Sequence, residues 1–332
     1  MKLKILLLNL SILGLTADAF SQLESKFPKD TSYNVARVYS QVKKQFPYIS
    51  PAIDSVPDNV KAYRNLVYAV LPQTPYGKRE LHLDLFQPRK SGKYPALIMI
   101  HGGGWRSGEK SMQVPMAQMI AAKGFVTIPV EYQLSLEAKY PAAVHNIKAA
   151  IRWIRANAST YNIDSDKIAI SGCSAGGQLA ALVAATNGIK YFEGNMGNEI
   201  HSSSVQAAID IDGVINFLAP ASLNLERAKN SPDVEWLGGS YVEKPAIWKE
   251  ASPAYWANEK MVPMLFLNSG FSRFHAGQDE LCGQLKEWGV YNEVYKFNVK
   301  VHPFWLFHPW VDESVQYMGD FLNKIFVANP AN

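Results

Sequence analysis

Beyond residue 60 the apolar residues fall into short runs, separated by longer stretches in which they recur at helical spacing. The short runs predict strands near 64–71, 79–87, 95–101, 125–131, 167–171, 205–212, 263–268 and 292–298. Between them the spacing predicts helices near 111–123, over 142–157, over 178–185, near 275–288 and from about 313 onward. In the 142–157 stretch, Ala143, Ile147, Ala150, Ile151 and Ile154 form one aliphatic stripe, which marks a core-facing helix rather than a cofactor site. Strand and helix in alternation demand an α/β fold, a mostly parallel sheet with helices on both faces. Residues 213–260, after the sixth strand, hold no sustained period and are expected to form an irregular insert.

The N-terminal part reads differently. Residues 22–63 are expected to be a helical extension, its helix running from Tyr33 to Phe46 and ended by Pro47, Pro51 and Pro57. Ahead of it, the basic Met1-Lys2-Leu3-Lys4, the apolar Ile5 to Leu15 and the small residues up to Ser21 have the form of a secretory signal peptide. That apolar core is too short to span a bilayer. The expected organisation is therefore a signal peptide at 1–21, an extension at 22–63 and one α/β domain at 64–328 that carries the insert.

Two motifs bring chemistry to this frame. Gly172-Cys173-Ser174-Ala175-Gly176-Gly177 places a serine in G-x-S-x-G between a predicted strand and a predicted helix. A sharp turn there lifts the hydroxyl above the sheet, and Gly172, Ala175 and Gly176 close to it are too small to obstruct it, so Ser174 is the candidate nucleophile. His101-Gly102-Gly103-Gly104-Trp105 follows the strand at 95–101. Consecutive glycines let backbone N–H groups face a developing alkoxide, and Gly103, Gly104 and Ala175 are the candidate oxyanion donors. His101 is expected to orient its loop rather than to act as a base. HGGGW lacks the G-x-G-x-x-G spacing of a dinucleotide site, and the seven histidines form no H-x-x-x-H or H-E-x-x-H pattern, so neither a cofactor nor a metal is expected.

The glycine loop, Glu131-Tyr132-Gln133-Leu134-Ser135 with Tyr140-Pro141-Ala142-Ala143, and GCSAGG together resemble the α/β-hydrolase esterases near the hormone-sensitive-lipase and xylan-esterase groups. Arg273-Phe274-His275-Ala276-Gly277 and the run His302 to Trp310 are similar to bacterial polysaccharide esterases, including pectin methyl esterases and acetyl xylan esterases. The resemblance covers residues 64–328 and implies the α/β-hydrolase fold, a Ser-His-Asp triad and an acyl-enzyme.

A serine of this kind needs a base, and the base should follow the last strand. His302, in a His-Pro-Phe run, is preferred to His308. The acid is open. Where the resembled esterases place it, a few residues past the seventh strand, this chain has Ser272. Asp212, at the end of the sixth strand, and Asp279, in the helix after the seventh, are the alternatives, with Asp212 preferred. Trp105 and Trp305 are the aromatics expected near substrate, and Arg273 and His275 are expected to bind it, as a cation would favour a substrate with free carboxylates.

Composition adds bounds rather than a function. The formal charge of +4 becomes +3 once Lys2, Lys4 and Asp18 leave with residues 1–21, too small an excess to imply nucleic acid. Cys173 and Cys282 are expected to be free and buried. No membrane span and no obligate protein partner is evident. The expected substrate is an ester of a plant cell-wall polysaccharide, with demethylation of pectin ahead of deacetylation of xylan or pectin. A carbohydrate-binding protein that merely keeps the hydrolase fold is the alternative of another class, supported by the loss of the usual acid at Ser272. A serine peptidase of the same fold would often carry a propeller, for which the chain has no room.

Overall fold

The computed structural model describes residues 27–328. The expected signal peptide at 1–21 lies outside the described residues. Eight strands form one sheet: β1 Val60–Thr74, β2 Gly77–Pro88, β3 Tyr94–Ile100, β4 Val126–Val130, β5 Ile163–Cys173, β6 Ala207–Ile211, β7 Met264–Asn268 and β8 Asn292–Lys296. Their order across the sheet is β1-β2-β4-β3-β5-β6-β7-β8. β1 and β2 are antiparallel to their neighbours, and every pair from β4 to β8 is parallel. This is an α/β-hydrolase fold.

The period of two along a strand sends its side chains to two separate cores. On β3, Ile98 and Ile100 join one cluster with α3 Ala142–Ala156, α4 Ala175–Ala185 and the insert. Leu97 and Met99 join the other, with α2 Val114–Ala121 and the C-terminal helix Trp310–Phe326. Buried on both faces, the central parallel strands hold the loops at their carboxyl ends rigidly, and that edge is where ligands bind in such sheets.

The N-terminal extension is less helical than its pattern suggests. Among its described residues one α-helix forms, α1, Val35–Val42, capped by Asn34, whose side chain accepts the Arg37 N–H at 2.9 Å. Phe46 leaves the helix to meet Trp310 edge-on, and Ser50–Pro51 pairs with Phe307–His308. Residues 60–63, assigned above to the extension, belong to β1. The insert is not irregular either. Pro220–Leu223, Pro232–Leu237, Pro245–Glu250 and Pro253–Trp256 are four short helices, each opening on a proline. A proline at the first position loses only an N–H that would have no helical partner, so it starts a helix as readily as it breaks one. Likewise α5, Gln278–Glu287, begins three residues later than expected, because Gly277, at φ +82°, separates it from a 3-10 turn at Ser272–His275.

Candidate active site

β5 ends on Cys173 and α4 starts on Ala175, so Ser174 alone makes the turn, at φ +56° and ψ −120°. The surrounding glycines are there because nothing larger fits. A Cβ on Gly172 would stand 2.0 Å from the Gly176 carbonyl oxygen, and one on Gly176 would stand 2.2 Å from that of Ile100. Among the described residues six non-glycines adopt positive φ: Asn65, Asn162, Asn198 and Asp212, whose side chains tolerate it, and Trp105 and Ser174, whose side chains do not. Trp105 and Ser174 meet at one site together with Asp212, and their backbone strain of about 1–3 kcal/mol each is held by the surrounding packing.

The structure brings Ser174, His302 and Asp212 into one chain of hydrogen bonds. Nδ1–H of His302 donates to Asp212 Oδ2 at 2.9 Å, and the Ser174 hydroxyl donates to His302 Nε2 at 2.7 Å. The carboxylate can only accept, which fixes the proton on Nδ1 and leaves Nε2 free to receive one. Asp212 is fully buried, and its other oxygen accepts the Ser269 N–H at 2.7 Å. The imidazole lies face to face with Phe274, 3.3 Å between ring centroids, and edge-on to Trp305 at 5.2 Å. Burial holds the His302 pKa below its ordinary value; the Asp212 carboxylate opposes this and the Arg273 charge adds to it.

The glycine loop sits across from the histidine. The amides of Gly103, Gly104 and Ala175 give no hydrogen bond to any described residue, while Gly104 and Ala175 line the cavity at Ser174. His101 is buried beneath the loop, stacked on Tyr132, and its Nδ1–H donates to the Gly102 carbonyl at 2.8 Å. Burial pushes its pKa down to about 4, so it is a neutral strut. Trp105 Nε1–H donates to Gln178 Oε1 at 2.9 Å, and Gln178 Nε2–H donates to the Ala251 carbonyl at 2.8 Å. One glutamine on the first turns of α4 thus ties the glycine loop to the insert.

The cavity in front of Ser174 measures about 210 Å³ and is lined by Trp105, Val214, Phe217, Arg227, Arg273 and Phe274, among others. The two arginines differ. Arg227 is spent on Asp233, at 2.6 Å, on Ser222 Oγ and on the face of Trp248. Arg273 makes no ion pair or hydrogen bond among the described residues and lies over the ring of Phe274.

Other candidates lie elsewhere. Asp279 is exposed in the first turn of α5, where an acidic side chain favours the helix dipole, and is not brought to His302. His275 does not line the cavity; the charges of Asp212, Lys296 and Asp279 act on it, and burial holds its pKa below the ordinary value. Trp305 is buried against His302 rather than facing the cavity. His308 pairs at the surface with Asp312. Cys173 is buried and Cys282 half-buried, both unbridged.

The sequence pattern did not reveal Gln178, Arg227 or Asp210. Asp210 is buried behind the elbow, where burial pushes its carboxyl well above the usual range, and it accepts the Gly213 N–H at 2.7 Å. Its only sequence signal is a carboxylate inside an otherwise apolar strand.

Comparison with known proteins places the family and the fold. LipM of Mycobacterium tuberculosis, described as a probable carboxylic ester hydrolase, is 34% identical over 164 residues, 48% of this chain and 37% of LipM. Esterase LipC of the same organism is 28% identical over 227 residues, 66% of this chain and 55% of LipC. The chain thus matches about half, or less, of the length of these relatives. A truncated carbohydrate esterase from gut microbiota shares the fold, with a TM-score of 0.69 at 24% identity over 82% of this chain and 98% of that one. The family model BD-FAE matches residues 83–272, more than half of the chain, a span that holds the glycine loop, the elbow and Asp212. The chain therefore belongs to the BD-FAE family and carries it on an α/β-hydrolase fold.

Proposed function

We propose that the protein is a serine carboxylic ester hydrolase that acts on polysaccharide esters. The observation that carries this is the hydrogen-bonded chain from Ser174 through His302 to Asp212, at 2.7 and 2.9 Å, facing the free amides of the glycine loop. In the proposed reaction Ser174 Oγ attacks the ester carbonyl while its proton passes to His302 Nε2. The carbonyl oxygen, now negative, is held by the amides of Gly103, Gly104 and Ala175. His302 then returns the proton to the leaving alcohol, and the acyl group stays on Ser174. Water repeats the sequence in reverse and frees the acid. Asp212 accepts the Nδ1–H bond throughout and steadies the imidazolium. Every proton has a side-chain carrier, so the route calls for no cofactor.

Within this class the preferred substrate is a galacturonate methyl ester in pectin. Arg273 supports it, a guanidinium at the cavity without an ion-pair partner among the described residues, suited to the free carboxylates of a partly demethylated chain. The aromatic wall of Trp105 and Phe217 suits a sugar face. A second reading, removal of acetyl groups from xylan or pectin, is favoured by the apolar Trp105, Val214 and Phe217 beside Ala175, which would cover a small acyl methyl. The names of the relatives, esterases and a carbohydrate esterase, support the shared chemistry of both. The basic and apolar start of the chain supports export to the periplasm or beyond. Among the described residues no helix is long and apolar enough to cross a membrane.

Release of methanol from methylated pectin and of acetate from acetylated xylan, measured together with Ser174→Ala as control, tests the assignment. Methanol lost in the variant supports pectin demethylation, and acetate moves the substrate to acetyl esters. Neither product, with p-nitrophenyl acetate also untouched, turns the protein into a binding module.

A further inference from the structure

The residue after HGGGW is held from two sides. Arg106 Nε stands 2.8 Å from Asp30 Oδ2, on the N-terminal segment, as an ion pair not aligned as a hydrogen bond, and Arg106 Nη1–H donates to Glu235 Oε2 at 2.7 Å, on the insert helix Pro232–Leu237. All three side chains are less than one-third exposed, at 30%, 19% and 23%. Asp30 also forms a parallel backbone bridge with Ser107. From Ser107 the connection runs straight into the glycine loop: its N–H and its hydroxyl both donate to the Gly103 carbonyl, at 3.0 and 2.9 Å. The fit leaves no slack, since a Cβ on Gly103 would stand 2.1 Å from the Ser107 carbonyl oxygen. Three residues on from Asp30, the Tyr33 phenol is raised by burial and then by Cys173, the neighbour of Ser174.

Consecutive glycines alone would leave the loop mobile, whereas oxyanion donors act only when fixed to within a few tenths of an ångström. The peptide plane whose carbonyl Ser107 holds twice is the one that carries the Gly104 N–H. Something outside the loop must hold that plane. With Arg106 removed, the Asp30 and Glu235 carboxylates would face each other across the loop and repel.

Resting on the ester-hydrolase assignment above, we propose that Arg106 is a positioning residue for the oxyanion loop and that the N-terminal segment, through Asp30, is a working part of the active site. The segment lies ahead of the span matched by the family model. Its contribution is to keep the amides of Gly103 and Gly104 aimed at the reacting carbonyl, so its loss affects the transition state more than substrate binding.

Full-length Asp30→Asn, Arg106→Gln and Arg106→Lys test this, with p-nitrophenyl acetate as substrate and phenylboronic acid as a ligand that forms a tetrahedral adduct on Ser174. Asp30→Asn, nearly isosteric, should lower kcat about tenfold, leave KM within about twofold, and weaken boronate binding by the same factor as kcat. Arg106→Gln should lose more, and Arg106→Lys should regain part of it. Unchanged kcat and boronate affinity in Asp30→Asn, with or without a lower Tm, would overturn the proposal, as would a rise in KM alone. A parent that neither hydrolyses the ester nor binds the boronate would overturn the ester-hydrolase assignment and this proposal together; an active parent with indifferent variants overturns only the latter.

Discussion

Asp212 Oδ2 and His302 Nδ1 stand 2.9 Å apart although 90 residues separate them, one after β6 and the other after β8. The space between them is closed by the Ser269 N–H on Asp212 and by the Phe274 ring on His302. In the proposed triad the acid comes from the end of the sixth strand, and Ser272 lies in the exposed 3-10 turn past β7.

The first expectation concerns that acid. Asp212→Asn keeps the shape of the pair but offers Nδ1 a donor as readily as an acceptor, so the imidazole loses its fixed tautomer. We expect kcat to fall about 10⁴-fold. Asp279→Asn, at an exposed helix start, should leave kcat within about twofold. Steady-state kinetics of the two variants side by side decide between them.

A second expectation follows from the environment of His302. Burial lowers its pKa, so the neutral, base-competent form persists below the ordinary histidine value of about 6.5, and the acidic limb of kcat/KM should lie beneath that pH. Activity is present above the limb and lost as pH falls through it. The Arg273 charge contributes to the lowering, so Arg273→Gln should move the limb to higher pH. A pH profile of both proteins on a neutral ester reads the shift; a limb that stays put or moves lower would disagree.

Gln178 gives a third. Gln178→Leu strips partners from two groups, the Trp105 indole N–H and the Ala251 carbonyl. Leaving a buried polar group unpaired costs about 1–3 kcal/mol. Denaturant unfolding should register a loss of that order, and kcat should drop with it as the glycine loop loosens. A variant as stable and active as the parent would mean that the insert does not brace the loop.

The elbow sets a fourth. Gly172→Ala adds a methyl where the Gly176 carbonyl stands 2.0 Å away, and backbone cannot step aside as a side chain can. The loss should exceed about 3 kcal/mol, at or beyond the usual cost of an overpacked core. Gly283→Ala, in the middle of α5 with nothing within 4 Å, should be neutral or stabilising. Unfolding midpoints of the pair test the contrast.

Strands with buried runs, the elbow and the glycine loop were legible because each writes its geometry locally: apolar residues on both faces of a parallel strand, glycines where backbone meets backbone. The insert showed no sustained period because its helices are only four to six residues long, and their one local mark is the proline that opens each, Pro220, Pro232, Pro245 and Pro253. The α1 helix ends at Val42, and Phe46 beyond it packs edge-on against Trp310, a contact distant in sequence that no local pattern shows. Arg106 and Gln178 were invisible for a different reason. Their partners, Asp30, Glu235, Trp105 and Ala251, are distant in sequence, and no periodicity encodes a hydrogen bond across three segments. His275 and Trp305 were placed near substrate by their proximity in sequence to the base and the seventh strand. Instead Trp305 lies edge-on to the ring of His302, and His275 does not line the cavity.

The most direct test of the central claim is covalent. A fluorophosphonate should add once per molecule, and peptide mass mapping should find the adduct on Ser174. Labelling should vanish in Ser174→Ala and slow by orders of magnitude in Asp212→Asn, as the nucleophile loses its activated base. An adduct on another residue, or no labelling of a folded and correctly processed protein, would contradict the Ser174–His302–Asp212 account.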